Sequence, residues 1–244
     1  CLEIDPKPES VLCFHTFPPL SVGKYGIIRG SANSSCDNVK ITISSSGGHA
    51  SCPQKCGDPI VTAAALITQL QTCVSRDNNP MMPAVLTFGS IHGGATPNTI
   101  PSSTVIEGTI RTVYPESRST IKESIKRICK HVGGAMRTCV EVDFMDTSVP
   151  SAINDNAIVD KAENAIKKLF GADAISIMPF PSTGSEDFAL FTEKLPGAII
   201  RFGTNDPENA ATMLGVHNPG VQFDDRSLFY ASALFCQYVL DYLS

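Results

Sequence analysis

The chain has 244 residues, with 19 Lys and Arg against 24 Asp and Glu, for a formal net charge of −5 at pH 7. Hydrophobic residues make up 42% and charged ones 18%, which suits one large or two small packed domains and excludes a disordered chain. The acidic balance and the lack of a long basic run argue against nucleic acid or an anionic membrane surface as the main partner, and no apolar run approaches the ~20 residues of a spanning helix.

The opening "CLEIDPKPES" has neither an initiator Met nor the charged-then-apolar layout of a signal peptide, so it reads as a cut end of a fragment or processed form. Nine cysteines is an odd count, and several, such as Cys73, Cys129 and Cys236, fall inside apparent core elements. They read as buried free thiols rather than a disulfide framework. The compartment stays open, with the cytoplasm preferred.

In chain order, "SVLCF" (10–14) predicts a short buried strand that delivers His15 to its end, and "KYGIIRG" (24–30) a second strand. "NVKITIS" (38–44) alternates, with Val39, Ile41 and Ile43 on one face. "GDPIVTAAALITQLQTCVSRD" (57–77) predicts a helix capped by Asp58, with Pro59 in its first turn and Ile60, Ala64, Ile67, Gln71 and Val74 along one side. Strands follow at 83–93 and 103–114 around the Gly- and Pro-rich turn "GATPNTIP". A helix at 115–134 carries Ile121, Ile125, Ile128 and Val132, and a strand at 137–145 ends the block. Strand, helix, strand, strand, helix, strand is the ferredoxin-like order, a four-stranded antiparallel sheet under two helices. Beyond it come a helix (154–171), a strand (174–180), a helix opening on acids (185–195), a buried strand (197–203) and a terminal helix (224–244). That alternation predicts an α/β layer, which the strands at 10–30 would join, so the middle block is an insertion.

Several residues could carry chemistry. His15 and His217 lie in loops beside buried strands, where an α/β sheet binds ligands, and two imidazoles could share a metal, although zinc normally takes three or four protein ligands. Glu186 and Asp187 in "GSEDF" could be base, ligand or anchor, or simply cap a helix. His49 follows Gly47 and Gly48, whose bare backbone lets a ligand or another strand come close. Asn98 is a turn residue or an amide donor to a carbonyl oxygen. Arg111 is a strand-face charge or a carboxylate clamp. His49, Cys52 and Cys56 could form a zinc clip, although their spacing matches no strong knuckle.

Together, "FHTFPPLSVGKYGIIRG", "GGHASCP", "DPIVTAAALITQLQTCVSR", "GSIHGGATPNTIP", "EGTIRT", "GSEDFALF", "LPGAIIRFGT" and "VHNP" resemble, in order and spacing, the two-metal amidohydrolases. These are the hippurate hydrolases, N-acyl-amino-acid aminoacylases and auxin-conjugate hydrolases, related to carboxypeptidase G. The resemblance implies an α/β catalytic domain (1–36 and 147–244) interrupted by a ferredoxin-like lid (37–146) that also forms a homodimer. It implies two divalent ions per complete site, Zn, Mn or Ni, that activate a water against the amide of an N-acyl or N-aroyl amino acid, with a Glu as general base. His15 and His217 are then metal ligands. His49 reaches the partner subunit's site and steadies the oxyanion, Asn98 is its companion in catalysis and substrate binding, Arg111 holds the substrate carboxylate, and Glu186 and Asp187 lie behind the ligands. The family's Cys-Gly-His-Asp and Glu-Glu segments do not occur here. The expectation is that this chain alone neither holds two metals nor turns over substrate, and that its α/β part exposes apolar surface unless something covers it. The competing reading is a non-catalytic dimerisation or binding module, a pseudoenzyme.

Overall fold

The structure, a computed structural model, describes residues 4–244. The chain forms two compact units, one of the residues up to Asn33 with Ala152–Ser182 and Asp187–Ser244, the other of Ser34–Ser151 with Thr183–Glu186. It enters the first with β1 (Val11–Ser21), β2 (Tyr25–Ile27) and β3 (Gly30–Asn33). It builds the second from β4 (Asp37–Ser44), β5 (Gly48–His49), α1 (Pro59–Leu70), β6 (Ala84–Gly93), β7 (Thr99–Ile100), β8 (Ser103–Thr112), α2 (Pro115–Ala135) and β9 (Cys139–Phe144). It returns to the first for β10 (Ala152–Asn154), α3 (Asn156–Phe170), β11 (Ile175–Ile177), α4 (Ala189–Thr192), β12 (Gly197–Asn205) and α5 (Arg226–Leu243).

The sheet of the first unit runs β1-β12-β2-β11. β12 is parallel to β1 and antiparallel to β2, and β11 is parallel to β2. All nine residues of β12 are buried, as an inner strand of a largely parallel sheet should be, the apolar Ala198–Ile200 and Phe202 together with the polar Arg201, Thr204 and Asn205. Ala198, Ile200 and Phe202 on one of its faces pack with Ile158, Val159, Ala162, Ala165 and Ile166 of α3 and Leu234 and Tyr238 of α5. Asp155 starts α3 by accepting hydrogen bonds from the backbone of Ala157 (2.8 Å) and Ile158 (3.1 Å), and Gly171 ends it at φ 81°, where a side chain would be strained.

Asn154, at the end of β10, ties β12 to the link between β2 and β3. Its Nδ2 donates to the carbonyls of Ile28 (2.9 Å) and Ile199 (3.1 Å), and its Oδ1 accepts from the Ile199 amide (2.8 Å). At 3% exposure no water can replace it. Asn154→Ala is expected to lower stability by about 2–4 kcal/mol, because each stranded buried group costs roughly 1–3 kcal/mol. Urea unfolding of the variant checks this, and a loss under half a kilocalorie would show the three groups find other partners.

The sheet of the second unit is antiparallel, in the order β6-β8-β4-β9. β4 alternates buried and half-buried along its whole length, so Val39, Ile41 and Ile43 meet Ile106 and Ile110 of β8, Ala63, Leu66 and Leu70 of α1, and Ile121, Ile125 and Ile128 of α2. Pro59 at the first helical position and the Asp58 carboxylate, which accepts from the Ile60 and Val61 amides, start α1 as the sequence predicts.

Several expectations are corrected. The buried face of α1 is Thr62, Ala63, Leu66 and Leu70, continued by Cys73, while Ile60, Ala64 and Gln71 are exposed. The helix is apolar on several sides, so spacing did not single out a face and packing against the sheet chose one. β1 does not stop at His15 but runs through Pro18 and Pro19 to Ser21, because an edge strand tolerates residues without an N–H. The helix expected over 185–195 is only Ala189–Thr192, so Glu186 and Asp187 do not head a long helix. The eight described cysteines are free, but Cys139 and Cys236 are exposed rather than buried, and Cys1 lies outside the described residues. Among the described residues no helix is long and apolar enough to cross a membrane.

Candidate functional site

Four of the predicted site residues, His49, Asn98, Arg111 and Glu186, are carried in or next to the second unit's strands and its short 183–186 segment. β5 and β7 form a two-residue antiparallel ladder that sets Gly48 opposite Ile100 and His49 opposite Thr99. The Ala50 amide extends it by donating to the Asn98 carbonyl (3.0 Å). His49 and Asn98, 49 residues apart in the sequence, are thus brought side by side on an exposed tip. The glycines explain themselves here. Gly47 has φ 62°, and a Cβ on it would stand 2.9 Å from the Ile100 carbonyl oxygen. The bare backbone admits β7, the neighbouring strand.

The His49 ring has a defined orientation. Its Nδ1 accepts the Ser51 backbone N–H at 3.1 Å and faces the Ser51 hydroxyl at 2.8 Å. A backbone amide can only donate, so Nδ1 carries the lone pair and the neutral ring carries its proton on Nε2. His49 is therefore built as an Nε2–H donor. Ser51 was not singled out by sequence reasoning, although a Ser two residues after a loop His is a signal for such a local bond.

Arg111 sits on β8 opposite Val85 of β6, and its Nη1 donates to the Thr183 carbonyl at 3.0 Å. The Ser34 hydroxyl donates to the same oxygen at 2.7 Å. Two donors on one carbonyl tether the Thr183–Glu186 segment to the second unit, which explains why its backbone does not coil into the expected helix. One of Arg111's five N–H groups is used in this way. Ser34 and Thr183 were also missed; small polar residues in a loop carry no periodic signal.

The remaining candidates lie in the first unit. His15, in the middle of β1, is opposite Arg201 of β12. Its Nδ1 lies 2.7 Å from the Thr16 carbonyl, so Nδ1–H donates and Nε2 is left as the basic nitrogen, the arrangement that orients a ligating histidine. Arg201 is buried, its Nη2 3.3 Å from the Ala32 carbonyl and its guanidinium 5.0 Å over the Phe17 ring. His217 is exposed in a turn after β12, and Asp187 is exposed just before α4. Among the described residues no group of three or more His, Cys, Asp or Glu is arranged to hold a metal ion, the His49, Cys52 and Cys56 set included. His15 thus fits a metal in kind, while the donors gathered in this chain do not complete a centre.

A family model described as Peptidase family M20/M25/M40 matches residues 2–241. An N-acetyl-L-cysteine deacetylase of Bacillus subtilis is 35% identical over 224 residues, 92% of this chain and 51% of the relative. A crystal structure from methicillin-resistant Staphylococcus aureus, provisionally classed as an aminohydrolase, superposes with TM-score 0.91 at 27% identity over 98% of this chain and 60% of that one. A Bacillus subtilis structure described as a dinuclear metal-binding peptidase of the M20 family gives TM-score 0.78 at 27% identity over 96% of this chain and 57% of that one. The chain spans about half the length of the relatives it matches.

Proposed function

Because the chain belongs to peptidase family M20/M25/M40, we propose that the protein it forms part of hydrolyses the amide bond of N-acyl or N-aroyl amino acids with the help of two divalent ions, Zn, Mn or Ni. The observation that carries this reading is the His49 ring, whose proton the Ser51 amide directs to Nε2. A donor so oriented suits an oxygen on which negative charge develops when water adds to an amide carbonyl. Asn98, held beside it by the β5–β7 ladder, adds an amide donor or orients the acyl group. Arg111 would hold the substrate carboxylate with N–H groups not directed at Thr183, which makes an amino acid with a free carboxylate the natural leaving half.

In this reading His15, through Nε2, and His217 are ligands, and Glu186 and Asp187 orient them from behind. The ions would supply Lewis-acid polarisation of the amide and a nucleophile at neutral pH. The relatives that support it act, by description, on N-acetyl-L-cysteine or bind two metals. The second unit, read as a ferredoxin-like lid over 37–146, would also join two copies into a homodimer, so that His49 serves the partner's site.

The test is an assay of N-acetyl and N-benzoyl amino acids, with each of the three metals and with chelator. It is run on this chain and on the chain together with the coding sequence upstream of it. Amino acid release that depends on metal supports the reading. If the longer protein binds no divalent ion and releases no amino acid from any conjugate, hydrolysis is ruled out, and a metal-independent dimer would favour the binding module instead.

A further inference from the structure

α2 ends on a residue that an ordinary helix end does not call for. The Thr138 amide donates to the Gly133 carbonyl (2.9 Å) and the Arg137 amide to the Gly134 carbonyl (3.3 Å), the paired bonds of a Schellman cap. Such a cap places a left-handed residue just past the helix, and here that residue is Arg137, at φ 59°. Glycine usually takes the position, because a Cβ makes it strained. Among the described residues Arg137 is the only one other than glycine with a positive φ. An arginine held in a glycine's conformation points to a use for its side chain.

That side chain reaches far along the sequence. Nη1 donates to the Gln54 carbonyl at 3.0 Å and Nη2 to the Cys56 carbonyl at 3.1 Å, across 83 and 81 residues. The planar fork lets one guanidinium grip two carbonyls at once. Gln54 lies in the single 3-10 turn Pro53–Lys55, and Cys56 closes it. The Arg137 backbone meets the same segment, since a Cβ on Gly57 would stand 2.2 Å from the Arg137 carbonyl oxygen. This turn stands behind His49. At its start the Cys52 amide donates to the His49 carbonyl at 2.9 Å. At its end Cys56 is buried, with Sγ 3.3 Å from the place a Gly48 Cβ would occupy. β5 is two residues long and held by two ladder pairs, so it has little else to fix its direction. The Ser51 amide that sets the His49 ring lies between β5 and the turn.

We propose that Arg137 is a positioning residue for His49. It clamps the turn after β5, and the turn holds the strand and the Ser51 amide that direct the His49 Nε2–H. Arg137 acts through His49 and touches no reacting atom itself. The competing account is a guanidinium that only stabilises the end of α2. The effect on the His49 ring stands on the geometry alone, while its consequence for catalysis rests on the hydrolase reading.

The test compares the parent with Arg137→Gly, which keeps the left-handed cap and removes the clamp, and with Arg137→Lys, whose ammonium can reach one of the two carbonyls. Each protein is labelled with heavy nitrogen in its histidine rings and observed by NMR with the imidazoles neutral, in this chain and in the longer protein that carries it. The parent His49 should show a bare Nδ1 and a protonated Nε2 as two well-separated signals. In Arg137→Gly these are expected to move toward each other, since a ring released from the Ser51 amide averages over both tautomers. Arg137→Lys should recover part of the separation. His92, on β6 of the same unit, is the internal control and should not move. In the longer protein Arg137→Gly should lower kcat about tenfold with KM unchanged, the scale of a small misplacement of a catalytic group. In a His49→Ala background it should lower kcat no further. The proposal is overturned if the His49 signals of Arg137→Gly match the parent's, or if the His92 signals shift with them, which would make Arg137 a structural cap. It is also overturned if Arg137→Gly lowers kcat equally with and without His49. If the longer protein releases no amino acid, the hydrolase reading fails and the ring signals still decide the role of Arg137.

Discussion

His49→Ala is expected to lower kcat for N-acyl amino acid hydrolysis by about 10²–10³-fold in the protein that carries the complete site, with little change in KM, because an oxyanion donor acts on charge that exists only in the transition state. The expectation rests on the proposed reaction and on the Ser51 amide that directs the His49 proton to Nε2. His49→Gln, which keeps an N–H donor at a similar reach on a more flexible side chain, should recover part of the loss. Ser51→Ala removes the hydroxyl at 2.8 Å but keeps the backbone amide at 3.1 Å, so it should cost much less. A His49→Ala protein that loses binding but keeps kcat would make the residue a ground-state contact, and one that loses neither would remove it from the site.

The largest expected effect on stability lies at Asp37. Its side chain is fully buried at the start of β4, and both oxygens are engaged by α2: Arg118 donates through Nε and Nη2, each at 2.8 Å, and Lys122 through Nζ at 2.6 Å. Burial alone pushes this carboxyl upward, but the hydrogen bonds and charges of Arg118 and Lys122, with the Ser148 hydroxyl, outweigh it and hold the group below the ordinary carboxylate range. The two sides of the pair are not equivalent. Arg118 and Lys122 are each about a quarter exposed and can turn to water, whereas Asp37 cannot. Asp37→Asn should therefore cost about 1–3 kcal/mol. Replacing both bases, Arg118→Met with Lys122→Met, strands a buried carboxylate and should cost about 3–5 kcal/mol.

The pH dependence separates the two situations. In the parent the folded-state group is depressed, so its contribution is present above the unfolded value near 3.9 and is lost as pH falls through the lower folded value. In the double variant burial acts unopposed and the carboxyl is raised, so stability should increase on acidification from neutral pH toward about 4. Urea melts at several pH values read both slopes. Parallel profiles for parent and variant would mean that Asp37 is not the group responsible.

How much of this was legible beforehand depends on the kind of signal. The interior of α2 was predicted residue by residue, because Ile121, Ile125 and Ile128 repeat at helical spacing with polar residues between them. β4 was equally clear, since an alternating strand with one buried face admits only one phase. α1 was placed and capped correctly but turned the wrong way, because its apolar residues surround the axis and the sequence holds no information on which side the sheet will lie. The 185–195 stretch reads as helical from its opening acids, yet the Ser34 and Arg111 donors on the Thr183 carbonyl tie down the bend just before it, and only Ala189–Thr192 coils. A tertiary tether overrides a local preference of a few tenths of a kilocalorie per residue.

The sequence by itself determined the mixed α/β class, the apolar stretch that becomes the buried strand β12, and the family resemblance carried by short stretches such as "GGHASCP" and "VHNP". It did so because periodicity, caps and turn glycines act over a few residues and are written contiguously. Only the tertiary structure decided that Gly47 makes room for β7, that Ser51 sets the His49 tautomer, that Asp37 anchors α2, and that Arg137 at the end of α2 reaches the turn behind His49. Those facts depend on which residues, distant along the chain, come within a few ångströms of one another. That depends on packing the whole unit, and no local pattern encodes it.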